Sequence, residues 1–185
     1  MKKGIALCFV LLSLITFFAF KVSYDVNYKL LKTIDSVEIR KYPKSLYASY
    51  YTKGADNNSR FRVLANYIFG GNERQEQIGM TSPVNMKMSS ENNEMMFLMP
   101  DRYNEYNLPK PNNNDIEIVS ISERTVATIR FSGYANPRKT QSKKTELIQT
   151  LQKYGISYTN EFELLVYDSP YKLLNRRNEV LVVLP

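Results

Sequence analysis

The sequence contains no histidine, no tryptophan and only one cysteine, Cys8. Without histidine, the chain cannot form a Ser-His triad, a Cys-His nucleophile or a histidine-ligated zinc site. Cys8 falls inside an uncharged apolar run near the start, so the rest of the chain has no thiol for a disulfide framework or a thiolate metal site. An oxidising compartment is therefore tolerated, and several common enzyme classes are excluded.

The apolar run covers residues 4–20, with two lysines before it and one directly after it. At about 1.5 Å per residue, a helix of this length spans roughly 25 Å, slightly less than the hydrocarbon core of a bilayer. Signal-peptide cleavage needs small residues at positions −3 and −1, and neither Ala19 nor Ser23 has a small residue two positions before it. An uncleaved N-terminal anchor is therefore favoured over a cleaved signal peptide.

We accordingly predict two parts, an anchor or signal peptide at 1–23 and one domain at 24–185. The leading lysines should stay in the cytoplasm, which places the domain in the periplasm or outside, either anchored or secreted after cleavage. The net charge of +7 overstates the basicity of this domain, because without Lys2, Lys3 and Lys21 the 25 basic residues fall to 22, against 18 acidic ones. No basic stripe with stacking aromatics stands out, so no nucleic-acid partner is expected, and the domain is expected to be a monomer.

The spacing of apolar residues predicts the fold class. Alternation predicts strands, whereas at 59–69 the spacing changes to three and four and predicts a helix with Ser59, or an asparagine before it, as N-cap. A second helix is expected at 136–155, with Asn136 as its cap and Gly155 at its end. Strands are expected at 24–32, 37–42, 46–53, 82–90, 94–100, 115–121, 124–135, 160–170 and 178–185.

The order of these elements is informative. After one extra strand, the order strand-strand-helix-strand-strand occurs twice, once on each side of the polar loop at 101–115. We therefore predict an α+β fold, in which a distorted antiparallel β-barrel or two facing sheets carry two helices in two pseudo-symmetric halves.

The pair Gly70-Gly71 raises the question of a phosphate-binding loop. Such a loop places its glycines between a strand and the N-terminus of a helix, where free N–H groups meet the anion. Here the glycines follow the helical stretch, where a left-handed glycine ends a helix and the helix dipole is negative. The sequence therefore predicts a helix end and not a phosphate site.

Three other patterns are interpreted as structural. Methionines at 80, 86, 88, 95, 96 and 99 are expected to pack in the core or a pocket rather than to form a thioether copper site. The carboxylates of Glu161 and Glu163 are expected on a solvated surface. Arg177 and Glu179 fall on one strand face, so a salt bridge is favoured there over a site for ligand carboxylates. We predict no catalytic and no metal-ligating residue.

Eight short motifs occur in series after the anchor and identify a resemblance. They are IRKYP (39–43), FRVLANYIFGGN (61–72), IGMTSPV (78–84), MFLMP (96–100), LPKPN (108–112), RFSGYA (130–135), YDSP (167–170) and RRNEVLV (176–182). In this order they resemble the SOUL family of haem-binding proteins, over nearly all of the chain after the anchor. The fold that the resemblance implies agrees with the order of elements described above.

The resemblance implies a function, the non-enzymatic binding of haem or a related tetrapyrrole in an apolar cleft between the first helix and the loop before the last strand. The residues it assigns are Arg60, Phe61, Leu64 and Ile68 on the helix and Tyr171, Lys172 and Arg176 in the loop, with Lys172 as a propionate partner. YDSPY stands where YDPPW is typical of the family, so Tyr171 replaces a tryptophan. Since there is no histidine, haem would be held by apolar contact and charge, or by a Tyr or Met ligand.

An alternative function stays open, because the implied fold is shared with the effector-binding domains of bacterial regulators. A binding module for another flat or amphipathic small molecule would have the same architecture. An enzyme acting on tetrapyrroles or small esters is disfavoured by the absence of histidine and of any nucleophile pattern.

Overall fold

The computed structural model of the protein describes residues 27–54, 56–88 and 94–185. The predicted anchor or signal peptide and the predicted turn at 91–93 lie outside these residues. Within the described ranges, no helix is both long enough and apolar enough to cross a membrane.

The described residues form nine strands and two helices, which follow one another in the predicted order. The strands are β1 (Lys29–Ile34), β2 (Val37–Tyr42), β3 (Ser45–Tyr51), β4 (Val84–Lys87), β5 (Glu94–Leu98), β6 (Ile116–Ile121), β7 (Arg124–Phe131), β8 (Phe162–Val166) and β9 (Asn178–Val183). The helices are α1 (Asn57–Ile68), between β3 and β4, and α2 (Pro137–Lys153), between β7 and β8. One extra strand therefore precedes two strand-strand-helix-strand-strand units, as predicted.

The strands form one antiparallel sheet in the order β1-β2-β7-β9-β8-β4-β5-β3-β6, which curls into a half-barrel. The predicted α+β class is confirmed. The sequence halves run from β2 to β5 and from β6 to β9, and each half places its first strand beside the other half: β2 pairs with β7, and β6 pairs with β3. Two residues, Pro43 and Lys44, connect β2 to β3, although β2 lies near one end of the strand order and β3 near the other.

Both helices pack on the same face of the sheet. Strands β4 and β8 join the halves, and their paired residues Met86 and Leu164 belong to the apolar clusters under α1 and α2 respectively. Leu64 and Ile68 of α1 pack on β3 and β5, and Leu147 and Leu151 of α2 pack on β7 and β9. The opposite face of the curled sheet is also buried, neither α1 nor α2 packs on it, and it forms the interior of the half-barrel.

The predicted ends of the helices are mostly confirmed. Asn136 caps α2 by accepting a hydrogen bond from the Lys139 N–H at 2.9 Å, and Gly155 follows the helix with φ of 64°. The N-cap prediction for α1 is wrong. Asp56 is the cap, and Ser59 is the donor, since its N–H bonds the Asp56 Oδ1 at 2.6 Å. The carboxylate of Asp56, three residues before Ser59, satisfies one of the orphan amides of the first turn.

The glycine pair ends α1, as predicted. Gly70 has φ of 111°, a conformation that favours glycine, and it directly follows the cap residue Phe69. The N–H of Gly71 donates to the Asn66 oxygen at 2.8 Å. A Cβ at Gly71 would lie 2.7 Å from that same oxygen, so the close approach of the two backbones requires glycine here.

Candidate functional site

The residues predicted on α1 fall into two environments. Leu64 and Ile68 are fully buried in the core between the helix and the sheet, so they hold α1 in place and line no open cleft. Phe61, one turn earlier, is only half-buried, and its ring packs on that of Phe97 with 5.2 Å between centroids. Arg60 is buried and donates to the Asn57 side chain at 2.6 Å. Of the apolar residues predicted on α1, Phe61 is therefore the one whose side chain is partly exposed and could contact a ligand.

The loop between β8 and β9 holds the other predicted residues, and Arg176 determines its shape. The guanidinium of Arg176 is buried and donates to the backbone oxygens of Ser169 (2.6 Å), Lys172 (2.9 Å) and Asp168 (3.3 Å). It also lies 4.5 Å from the ring centroid of Tyr134, in the connection between β7 and α2. Arg176 is thus a positioning residue that ties the loop together from inside.

Asp168 fixes the two ends of this loop. Its carboxylate accepts from Lys172 Nζ at 2.6 Å and from the backbone N–H of Arg177 at 2.5 Å. Burial works against ionisation of this group, but the bonds from Lys172 and Arg177 outweigh it and lower the pKa of Asp168 below its ordinary value of 3.8. Lys172 is consequently held in one place while its side chain stays half-exposed.

Three large apolar side chains project from the loop into solvent. Tyr171 is 89% exposed, Leu173 75% and Leu174 78%. Tyr171 was predicted from the sequence as a ligand residue, and the two leucines were not. The signal was present, since YKLLN (171–175) places an apolar pair inside an otherwise polar loop. The structure thus brings Tyr171, Lys172 and Arg176 together in one loop, and holds the α1 residues separately on β3 and β5.

The interior of the half-barrel contains a buried ionic network that the sequence analysis predicted only in part. The predicted salt bridge between Arg177 and Glu179 is confirmed at 2.7 Å. Glu179 is fully buried and also accepts from Arg40 at 2.6 and 3.1 Å and from the Tyr167 hydroxyl at 2.9 Å. Burial alone would raise the pKa of Glu179, but Arg40 and Arg177 together lower it below its ordinary value of 4.5.

A second ion pair corrects a prediction. Glu163, expected on a solvated surface, is buried in the interior, where Arg124 and the Asn85 amide bind its carboxylate at 3.1 and 2.8 Å. The prediction was wrong because alternation along β8 assigns Glu163 to the face opposite α2, and the curl of the sheet buries that face. Across the described ranges, no group of three or more acidic or thiol side chains lies together as metal ligands do.

A cavity of about 310 Å³ opens where β2 turns into β3. Its floor is formed by Tyr42, Tyr47 and Leu98, which belong to the interior face, and its rim includes Lys44 and Asp101. Burial raises the pKa of the Tyr47 hydroxyl to about 12, so this residue is a neutral phenol at physiological pH. None of the seven predicted ligand residues lines this cavity, which is a separate feature of the described fold.

Comparisons with known proteins give the context of these features. A family model described as "SOUL heme-binding protein" matches residues 23–183. "Heme-binding protein 2" of Homo sapiens is 30% identical over 159 residues, which cover 80% of this chain and 78% of that protein. "Heme-binding protein 1" of Xenopus laevis is 30% identical over 125 residues, which cover 63% of this chain and 65% of that protein.

Solved structures share the fold at much lower identity. The C-terminal domain of EcmrR has a TM-score of 0.61 and 14% identity, and the match covers 85% of this chain and 98% of that one. A hydrolase from Listeria innocua has a TM-score of 0.58 and 11% identity, covering 83% and 94% respectively. At such identities these matches show a common architecture and nothing about ligand or activity.

Proposed function

Because this chain belongs to the SOUL family of haem-binding proteins, we propose that it binds haem or a related tetrapyrrole and does not act as an enzyme. The observation that carries this proposal is the pairing of Tyr171 and Lys172 on a loop whose shape Arg176 fixes. An exposed aromatic ring and a half-exposed ammonium group, side by side, are what a flat apolar ring with propionate groups requires.

The residues fit this ligand without histidine. Tyr171 supplies exposed aromatic surface on the loop, and burying a porphyrin face is worth roughly 25 cal/mol per Å² of apolar area. Lys172 is the best-placed propionate partner, because Asp168 orients its amine and leaves other N–H donors available. Arg176 contributes through loop shape, since both of its terminal nitrogens already bond loop carbonyls. Arg60, Leu64 and Ile68 support α1.

Haem when bound supplies the ring, the iron and the propionates, and the chain supplies apolar contact and one charge. Recognition should therefore depend on the ring. Haemin and iron-free protoporphyrin should bind the full chain in detergent with similar affinity, measured by spectral titration. Tight binding of haemin together with no binding of protoporphyrin would contradict recognition of the ring and would indicate an iron ligand other than histidine, such as Tyr or Met.

Single variants test the loop. Lys172→Gln should weaken protoporphyrin binding by roughly 0.5–1.5 kcal/mol, and more at low salt than at high, because an exposed charge pair is screened. Lys110→Gln, an exposed lysine outside the loop, is the matched control. Tyr171→Ala should weaken both ligands equally. If Tyr171→Ala and Lys172→Gln both bind like the parent, the site lies elsewhere.

We also propose that residues 4–20 anchor the domain to the cytoplasmic membrane, with residues 24–185 in the periplasm or outside. The support is the uncharged run and the lysines before it. Fractionation of cells that express the full chain, with a mass determination of its N-terminus, tests this. An intact N-terminus in the soluble cytoplasmic fraction would contradict export.

A second candidate function rests on the cavity between β2 and β3, whose tyrosine-lined floor and volume of about 310 Å³ suit a smaller flat or amphipathic molecule. Ser45 lies on its rim, so Ser45→Trp should block a ligand there and leave a ligand on the loop unaffected. Loss of protoporphyrin binding in Ser45→Trp, with Tyr171→Ala unchanged, would favour this candidate over the first.

A further inference from the structure

The tip of the loop between β8 and β9, residues 171–174, shows three large apolar side chains to solvent within four consecutive residues. Single exposed apolar residues are ordinary on protein surfaces, whereas a contiguous group at the end of a loop indicates contact with another apolar phase. The proposed tetrapyrrole site uses Tyr171 and leaves Leu173 and Leu174 without a role.

The loop holds these side chains outward. The N–H of Lys172 donates to the Ser169 oxygen at 3.0 Å, and that of Tyr171 to the Ser169 hydroxyl at 3.3 Å. The buried guanidinium of Arg176, bonded to the oxygens of Ser169 and Lys172, fills the inside of the loop, whereas Leu173 and Leu174 lie on its outside.

The surroundings of the tip are basic. Lys172 is half-exposed, and the one acidic side chain of the loop, Asp168, is buried and already bonded to it. Lys139, in the first turn of α2, reaches the oxygen of Ser132, and Arg138 beside it is exposed. Apolar side chains surrounded by lysine and arginine match the acyl chains and headgroups of an anionic membrane surface.

We propose that Leu173 and Leu174 insert into the interfacial region of an anionic bilayer, with Lys172 and Lys139 among the lipid headgroups. Tyr171 then lies at the depth where tyrosine is enriched in membrane proteins. This contact goes beyond the proposed function and does not require a bound tetrapyrrole. An anchor at residues 4–20 would hold the tip near the same membrane.

The chain contains no tryptophan, so a single introduced one reports its own environment. The full chain with Leu174→Trp is mixed with vesicles of phosphatidylcholine and phosphatidylglycerol, with and without brominated acyl chains. We expect a blue-shifted emission that brominated lipid quenches. Leu31→Trp is the matched control, since Leu31 is a half-exposed leucine outside the loop, on β1, and its emission should stay unquenched.

A second reporter tests the leucines themselves. Tyr171→Trp should also be quenched, and adding Leu173→Ser and Leu174→Ser should abolish that quenching, whereas adding Leu30→Ser and Leu31→Ser should leave it unchanged. The quenching should fall with added salt and with vesicles of phosphatidylcholine alone.

Three outcomes overturn the proposal. The first is equal quenching, or none, for Leu174→Trp and Leu31→Trp. The second is quenching that is the same with and without phosphatidylglycerol. The third is a blue shift that depends on protein concentration without lipid, which would mean that a second copy of the chain covers the tip. Protoporphyrin binding by these variants is measured separately, and its loss would concern the proposed function alone.

Discussion

Replacement of Glu179 by methionine should destabilise the fold strongly. Glu179 accepts from Arg40, Arg177 and Tyr167 in the interior of the half-barrel, and Arg40 is only 2% exposed. Removing one partner of a buried ion pair costs about 3–5 kcal/mol, because the other charge stays buried. Arg40 keeps its contacts with Glu38 at 2.7 Å and with the Tyr42 hydroxyl at 3.3 Å, so we expect a loss near the lower limit, about 3 kcal/mol.

For a chain of this length, that loss corresponds to a melting temperature lower by roughly 6–12 °C. Urea unfolding followed by circular dichroism measures it in Glu179→Met, Arg40→Met and the double variant. The double variant should lose at least about 1 kcal/mol less than the two single losses added together, since no unpaired Arg40 or Glu179 remains.

Glu161→Met is the matched control, because Glu161 is an exposed glutamate near the same strands, and it should change stability by less than about 0.5 kcal/mol. A loss below about 1 kcal/mol in Glu179→Met, or strict additivity in the cycle, would refute the reasoning.

Three further predictions concern stability. Gly71→Ala should lower the free energy of unfolding by more than about 1 kcal/mol in thermal melting, because its Cβ meets the Asn66 oxygen, whereas Gly79→Ala, whose Cβ meets nothing, should not. Glu179 and Asp168 both have lowered pKa values, so their contribution to the free energy of unfolding is complete above the ordinary pKa values of 4.5 and 3.8. That contribution is lost as pH falls through the lowered pKa values. A free energy of unfolding that stays constant from about pH 5 to pH 2 would contradict this. Leu64→Asp should unfold the domain, since a carboxylate would lie in the core beneath α1, and a folded variant that binds haemin normally would show that Leu64 belongs to neither core nor site.

The sequence was sufficient for the features that depend on local spacing. The helices, the cap at Asn136, the ends at Gly70 and Gly155 and the doubled order of elements all follow from periodicity and from the backbone needs of glycine, asparagine and proline. The salt bridge between Arg177 and Glu179 was predictable for the same reason, because alternation along a strand places both side chains on one face.

Features that depend on the curl of the sheet were not predictable. Alternation along β8 shows that Glu163 lies on the face of the sheet away from α2, but only the closure of the half-barrel determines whether that face is exposed to solvent or buried. Arg124, which neutralises Glu163, is distant in sequence and offers no local signal. The role of Arg176 was also not predictable, because its hydrogen-bond partners are backbone oxygens, which every residue carries whatever its side chain.

The placement of β2 beside β7 and of β6 beside β3 has a consequence for assembly. If the chain were cut within the 101–115 loop, β2 would be on one fragment and its neighbour β7 on the other, and the same would hold for β3 and β6. Neither fragment alone would therefore retain all the neighbours of its strands. The two pieces should therefore be poorly folded alone and should recover the native spectrum only when mixed. Because the two halves interlock in this way, neither can unfold without the other, and unfolding should be a single cooperative event.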